Sequence, residues 1–321
     1  MRSLAWLSLV ISLALGSQAQ TVASIPQKTT VSVPALVESK SGEIAYGLSA
    51  VDFSIKDDGI EQRVRLEDIA SVAPLSVFLV IQTGGRGASV ELEKIARLDD
   101  LLDSILTNPR DQVAVLTFDS RPTVLHDLTS DSDAISRALA SLASGDSGSA
   151  LFDALHIAIN SLRRSPPKNR RIIIVISGEH DHGSNASDPA SLIRDISSSE
   201  ISVYGLSFRA KRKELLSRLS SLNPLAMTAG AVQKNATEAL AQLTGGDFYR
   251  FNTEKVFEDR VTEVASHIHN RYSLTFQPSS PQPGFHSLKV DVLSKNVSVV
   301  SARTGYWLSS SDGVVGGGKP Q

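Results

Sequence analysis

Four short apolar runs punctuate the middle of the chain: Leu75 to Ile81, Val113 to Phe118, Ile172 to Ile176 and Ile201 to Phe208. The third is an unbroken stretch of β-branched aliphatics, the pattern of a central strand covered on both faces. Between the first two runs, Leu92, Ile95, Leu98, Leu102 and Ile105 recur at helical spacing. Before the third, Leu151, Leu155, Ile159 and Leu162 do the same, until Pro166-Pro167 stops that helix. After it, Asp188-Pro189 reads as an N-cap with proline at the first helical position, leading into Leu192, Ile193 and Ile196. Strand and helix alternating in this way predict an α/β fold, a doubly wound and mainly parallel sheet with helices on both faces. Arg121 to Leu128 alternates and follows its neighbour through a tight turn, so it reads as an antiparallel edge strand.

The two ends of the chain follow period two instead. Thr30 to Val37, Phe53 to Ile55 and Arg63 to Leu66 are separated by the turn signals Ser41-Gly42 and Asp57-Asp58-Gly59. At the other end, alternation runs through Tyr272 to Phe276, Leu288 to Val292 and Val297 to Val299. Both ends therefore meet most simply in one small flanking β-sandwich-like domain. The expected organisation is a signal peptide at 1–19, half of the β domain at 20–70, the α/β domain at 71–270, the second half at 271–308, and a disordered tail at 309–321.

Composition narrows the function class. The 321 residues carry a formal net charge of -2, and no basic block interleaves with aromatics, so nucleic acid is not the expected partner. The run Arg209 to Lys213 reads as a solvated loop. Met1-Arg2, the apolar stretch Leu4 to Leu15 and the small-x-Ala site Ser17-Gln18-Ala19 make an export signal. That stretch is too short for a permanent span, which needs about 20 residues, and no later segment is longer, so no membrane span is expected after cleavage. With zero cysteines there is no disulfide and no cysteine-borne lipid. The expected location is secreted or periplasmic, and not that of a lipoprotein.

The candidate site lies where the first apolar run turns through Gln82-Thr83-Gly84-Gly85-Arg86 into a helix. This layout resembles the metal-ion-dependent adhesion site of a von Willebrand factor A domain. Further motifs extend the resemblance over about Val31 to Trp307, toward the related proteins abundant in Acidobacteria. They are Gly47 to Phe53 with Asp57-Asp58-Gly59, Leu243-Thr244-Gly245-Gly246, Arg271-Tyr272-Ser273-Leu274 and Arg303-Thr304-Gly305-Tyr306. The family pattern at the first turn is Asp-x-Ser-x-Ser, and here the ligand positions read Gln82, Gly84 and Arg86. A second family loop supplies a threonine, and Ser149 of Ser147 to Ala154 takes its place. A third supplies an aspartate, and Gly178 of Ile176 to Asp181 stands there. Of the ligands that the resemblance implies, one hydroxyl survives, while a hard divalent cation wants several oxygens and negative charge. The expectation is therefore no cofactor, with magnesium or calcium held by Ser149, Glu179 and Asp181 as the alternative. If the correspondence is right, Gln82→Asp, Gly84→Ser, Arg86→Ser and Gly178→Asp together should restore magnesium-dependent stabilisation.

Other strings have bland readings. Glu179-His180-Asp181-His182 could ligate a transition metal, yet alternating neighbours in a loop do not all converge on one ion. Gly145-Asp146-Ser147-Gly148 resembles a serine-nucleophile segment, but Ser147 reads as a loop or N-cap residue. Gly84 to Gly87 lacks the spacing of a phosphate loop. His267 and His269 read as surface residues. The expected function is that of a non-enzymatic, exported binding or adhesion-type module, independent of metal. Its partner would be a protein or other extracellular macromolecule. The candidate face comprises Gln82, Thr83, Gly84, Arg86, Ser149, Gly178, Glu179 and Asp181, since ligands sit at the carboxyl ends of strands in open α/β sheets. Arg86 could pair with a carboxylate, from the partner or from its own loops. A metal-dependent adhesin with shifted ligands and a serine hydrolase are the alternatives.

Overall fold

A computed structural model describes residues 29–67, 73–85, 98–178, 181, 183–208 and 224–309. The expected signal peptide, Leu92 and Ile95, Arg86, Glu179, His180, His182, the Arg209 to Lys213 run and the tail from 310 onward lie outside the described residues.

The four apolar runs become parallel strands β5 (Leu75–Gln82), β6 (Gln112–Phe118), β8 (Arg170–Ser177) and β9 (Ile201–Ser207). Together with β7 (Pro122–Thr129) and β10 (Phe248–Arg250) they form one sheet in the order β10-β9-β8-β5-β6-β7. β7 pairs antiparallel with β6 at the edge, as its alternation predicts, and all other pairs are parallel. Because side chains alternate along a strand, the aliphatic runs of β5 and β8 feed two cores. Val77, Leu79, Ile81, Ile172, Ile174 and Ile176 face α1 (Leu98–Ile105), α2 (Ser132–Ala140) and α7 (Glu254–His269). Phe78, Val80, Ile173 and Val175 face α3 (Leu151–Arg163), α4 (Pro189–Ser197), α5 (Pro224–Lys234) and α6 (Ala236–Thr244). Asp188 caps α4 as expected, accepting from the amides of Ala190 and Ser191. The doubly wound α/β architecture is thus present.

The chain ends form two four-stranded sheets. One is β13 (Val297–Ala302), β1 (Val31–Ser39), β11 (Tyr272–Phe276) and β4 (Arg65–Glu67). The other is β14 (Gly305–Leu308), β12 (Gly284–Val292), β2 (Phe53–Asp57) and β3 (Ile60–Gln62). Val31, Val33, Ala35 and Val37, one face of β1, share a core with Phe53, Ile55, Leu274, Phe276, Leu288, Tyr306 and Leu308. N-terminal and C-terminal segments pair directly, β1 with β11 and β2 with β12.

The short motifs near the C-terminus gather where the β sheets meet the α/β layer. Gly245 ends α6 at φ 81°, where a Cβ would lie 2.5 Å from the Arg303 amide nitrogen. Arg303 is buried and donates to Gly305 O (2.9 Å), Ser32 O (3.3 Å) and Ser197 O (2.5 Å), the last at the end of α4. Burial brings its pKa down to about 10, so it stays charged near neutrality. Arg271 donates from Nη2 to Asp247 Oδ2 (2.6 Å) and from Nε to the Tyr204 hydroxyl (2.8 Å). Ser301 of β13 donates to Asp247 Oδ1 at 2.7 Å. His267 joins this cluster, its Nδ1 3.1 Å from both Asp247 Oδ2 and the Tyr249 hydroxyl. Its expected surface position is therefore corrected: the ring is buried, because the junction supplies polar partners that an isolated amphipathic helix does not show. His269 is half-buried and meets the Ile105 carbonyl through Nε2 at 2.9 Å.

Candidate functional site

The carboxyl ends of β5, β6 and β8 meet the segment that precedes α3, and the backbone stitches these loops together. Thr83 N and Gly84 N donate to Phe118 O, Gly145 N to Thr83 O, and Gly85 N to Asp146 O. Three glycines make this approach possible. A Cβ at Gly84 would lie 2.4 Å from Asp119 Cβ and 2.5 Å from Gly148 O. At Gly148 it would lie 2.5 Å from Ser120 Cα, and at Gly145 2.6 Å from Asp119 Oδ2.

Gln82 closes the third side. Its side chain is buried, with Nε2 donating to Gly84 O (2.8 Å) and Oε1 accepting from Gly178 N (2.7 Å). One bond needs a donor and the other an acceptor, which a carboxamide supplies and an ionised carboxylate does not. Gln82 thus joins the loops after β5 and β8 directly. A Cβ at Gly178 would meet only ordinary contacts, the nearest being Gln82 Oε1 at 3.4 Å.

Asp181 and Ser184 serve the helix behind the site. The N-cap of α3 is Ala150, which has no capping side chain. In its place Asp181 Oδ1 accepts from Phe152 N (3.0 Å) and Ser184 Oγ accepts from Asp153 N (3.1 Å). Ser184 also donates to Asp181 at 2.5 Å. These bonds satisfy amides that a helix start leaves open. Asp181→Ala is expected to cost about 1–2 kcal/mol in urea unfolding, the range for losing such a cap, with the mid-range far-UV signal retained.

Asp146 organises the exposed side. Its carboxylate accepts from Ser120 N (2.9 Å), Gly148 N (2.8 Å) and the Ser120 hydroxyl. The Ser120 hydroxyl and then the Gly148 amide hold its carboxyl below the usual carboxylate range. Asp119 accepts from Arg121 N (2.9 Å) and Asp146 N (3.2 Å). Sequence reasoning missed both aspartates and Ser120. Asp146 and the nearby glycines are themselves a turn signal, but the serine beside them drew attention as a nucleophile. Ser147 is an exposed loop residue three positions before the Ala150 cap, and Ser149 is fully buried, out of a substrate's reach.

The expected recognition residues therefore divide. The structure brings Gln82, Thr83, Gly84, Gly178 and the α3 start together, but Gln82, Thr83, Gly84, Ser149 and Gly178 are buried. These five lie beneath the surface of the loop cluster. The exposed or half-exposed rim consists of Gly85, Ser120, Arg121, Asp146, Ser147 and Asn185. Gly84, one of the four positions in the expected reversion, has little room: a serine Cβ there would sit inside Asp119 and the Gly148 carbonyl.

Residues 83–180 match the family model described as von Willebrand factor type A domain. No curated protein matches the chain significantly. Among solved structures the chain is similar to BatB from Bacteroides thetaiotaomicron, at 18% identity over 60% of this chain and 98% of that one, TM-score 0.43. A von Willebrand factor type A protein from Catenulispora acidiphila aligns at 8% identity over 81% of this chain and 74% of that one, TM-score 0.48. The vWF domain of the type V pili tip protein Mfa5 from Porphyromonas gingivalis aligns at 11% identity over 61% and 95%, TM-score 0.42. The segment that runs from the loop after β5 to the loop after β8 within this doubly wound sheet is thus the part of the chain that matches the von Willebrand factor type A domain.

Proposed function

We propose that this protein is an exported, non-enzymatic binding module that engages a protein or other extracellular macromolecule through the rim of the β5, β6 and β8 loops, without a magnesium or calcium ion. The observation that carries this reading is the Gln82 carboxamide, bonded at both ends to the backbone where the family pattern has a ligating carboxylate. Its one oxygen already accepts from Gly178 N, Gly84 has no room for a hydroxyl, and Asp181 Oδ1 is engaged at α3. A hard divalent ion would have to displace these bonds to gain several oxygens. Contact would then be made by the rim itself, with the Arg121 and Asp146 side chains as charged elements, and Arg86 as the candidate for an acidic group on the partner. Among the described residues no helix is long and apolar enough to cross a membrane, and export rests on the N-terminal signal pattern.

Two measurements test the reading. In chelator-treated buffer, adding millimolar magnesium or calcium is expected to leave the Tm unchanged, because an ion that does not bind the native state does not stabilise it. A shift of several degrees, abolished by Asp181→Ala, would instead establish a site with shifted ligands. Capture of a partner from the envelope fraction of the source organism is expected to be indifferent to the same ions and weakened by Arg121→Glu. Capture that requires magnesium, or that Arg121→Glu and Arg86→Glu both leave intact, would overturn the proposal.

A further inference from the structure

The β2–β3 hairpin turns through Asp57-Asp58-Gly59-Ile60, with φ of 47° at Asp58 and 85° at Gly59. Positive φ at both central positions is the hairpin geometry that Asp-Gly favours. This turn folds the Asp58 carboxylate back over β12, where His286 lies beside the buried Asp57. His286 Nδ1 is 2.9 Å from Asp58 Oδ2 and 3.5 Å from Asp57 Oδ1. All three residues present one ligand atom within 4.8 Å of the others.

The remaining polar atoms of these side chains are each held by a neighbour. His286 Nε2 donates to the Gln282 carbonyl at 2.6 Å, which leaves Nδ1 on the side of the carboxylates. Asp57 Oδ2 accepts from the Tyr306 hydroxyl at 2.9 Å, and the Tyr306 ring stacks on His286 at 4.9 Å between centroids. Asp58 Oδ1 accepts from Ser287 N and Ser287 Oγ, both at 2.9 Å. By contrast, His286 Nδ1 and Asp57 Oδ1 are buried and have no hydrogen-bond partner. His286 and Asp57 are only 6% and 4% exposed, so water does not compensate them freely. A buried acceptor left unmade costs about 1–3 kcal/mol, so two side by side call for an occupant.

We infer that His286 Nδ1, Asp57 Oδ1 and Asp58 Oδ2 bind a divalent transition-metal ion of the zinc type in the β-sandwich, remote from the loops at the top of the α/β sheet. Imidazole with carboxylates suits such an ion. Ligand atoms about 2.1 Å from one ion and subtending 90–110° lie roughly 3.0–3.4 Å apart, close to the separations seen. Although 2.9 Å away, Asp58 Oδ2 is not placed to take a hydrogen bond from Nδ1, whereas two ligands of one ion point at a shared third position and not at each other. Gln282, Tyr306 and Ser287 then act as the outer hydrogen bonds that fix tautomer and orientation in metal sites. Asp58 is half-exposed, which leaves an approach for the ion and for a completing water.

The test uses the purified chain, stripped with chelator and dialysed against micromolar zinc. One equivalent is expected by elemental analysis, and cobalt in its place should give a visible absorption band. His286→Gln is expected to lower affinity at least tenfold, but its position is interior and the variant could unfold. Asp58→Asn avoids this, because it lies at the exposed turn and keeps Oδ1 for Ser287. It should retain the metal-free Tm while losing tenfold or more in zinc affinity. Less than one equivalent in the wild type overturns the inference. So does equal uptake by Asp58→Asn, or uptake that is lost instead in His180→Ala with His182→Ala.

Discussion

Arg271→Leu is expected to lower stability by about 3–5 kcal/mol, the cost of leaving a buried charge without its partner. The charge left behind is Asp247, buried where α6 gives way to β10 and bonded to Arg271 at 2.6 Å. The substitution also strips the Tyr204 hydroxyl of its donor and loosens β11 from β9 and β13 at one point. Urea unfolding followed by circular dichroism measures this directly. A loss below 1 kcal/mol would show that the two layers do not depend on this cluster. The same pair predicts a pH dependence. Burial pushes the Asp247 carboxyl up, but Arg271 together with His267 and Ser301 outweighs it, and the pKa falls from 3.8 to about 2. A carboxyl depressed in the folded state adds stability above its unfolded pKa and loses it as pH falls through the folded value. The cluster should therefore contribute about 2 kcal/mol at pH 5 that disappears between about pH 4 and pH 2. In Arg271→Leu that window should flatten or reverse.

Gly84→Ser is expected to destabilise the protein by about 3 kcal/mol, at the upper end for forcing atoms into a packed site. The added Cβ would fall 2.5 Å from Asp119 Cα and from the Gly148 carbonyl, both backbone, so relief requires moving the β6 end or the segment before α3. Gln82→Asp, the companion change toward the family pattern, should cost about 2–3 kcal/mol at neutral pH. It loses the bond to Gly84 O and buries a charge in its place. The fourfold reversion should therefore give a less stable protein with no magnesium response. If Gly84→Ser were neutral, the three loops would be less tightly closed than their backbone bonds indicate, and the case against an ion there would weaken.

Both predictions concern positions whose roles differ in legibility. The aliphatic runs at Leu75 and Ile172 and the alternation of Val31 to Val37 specify their elements locally, since burial on one face or two dictates the period of apolar residues. The α/β sheet, its antiparallel edge strand and the β character of both ends were readable for that reason. The short α2, the pair α5 and α6, and the three-residue β10 were not read. Their apolar stripes rest largely on alanines or on two or three residues, too little signal over too short a window. The resemblance placed Gln82, Gly84 and Gly178 at the strand ends, and the structure brings them together there.

What the sequence by itself determined is the set of faces each segment must bury, and which chemical groups stand at the strand ends. The tertiary structure alone decided where polar groups find partners, because hydrogen bonding depends on ångström-scale placement of residues far apart in the chain. Gln82 meets Gly178 across 96 positions and Asp57 meets Tyr306 across 249. No local pattern records such pairs. That is why His267 reads as surface and proves buried, why Asp181 reads as a weak ligand and proves a helix cap, and why Asp57, Asp58 and His286 stand together while a turn signal and an isolated histidine were all the chain displayed.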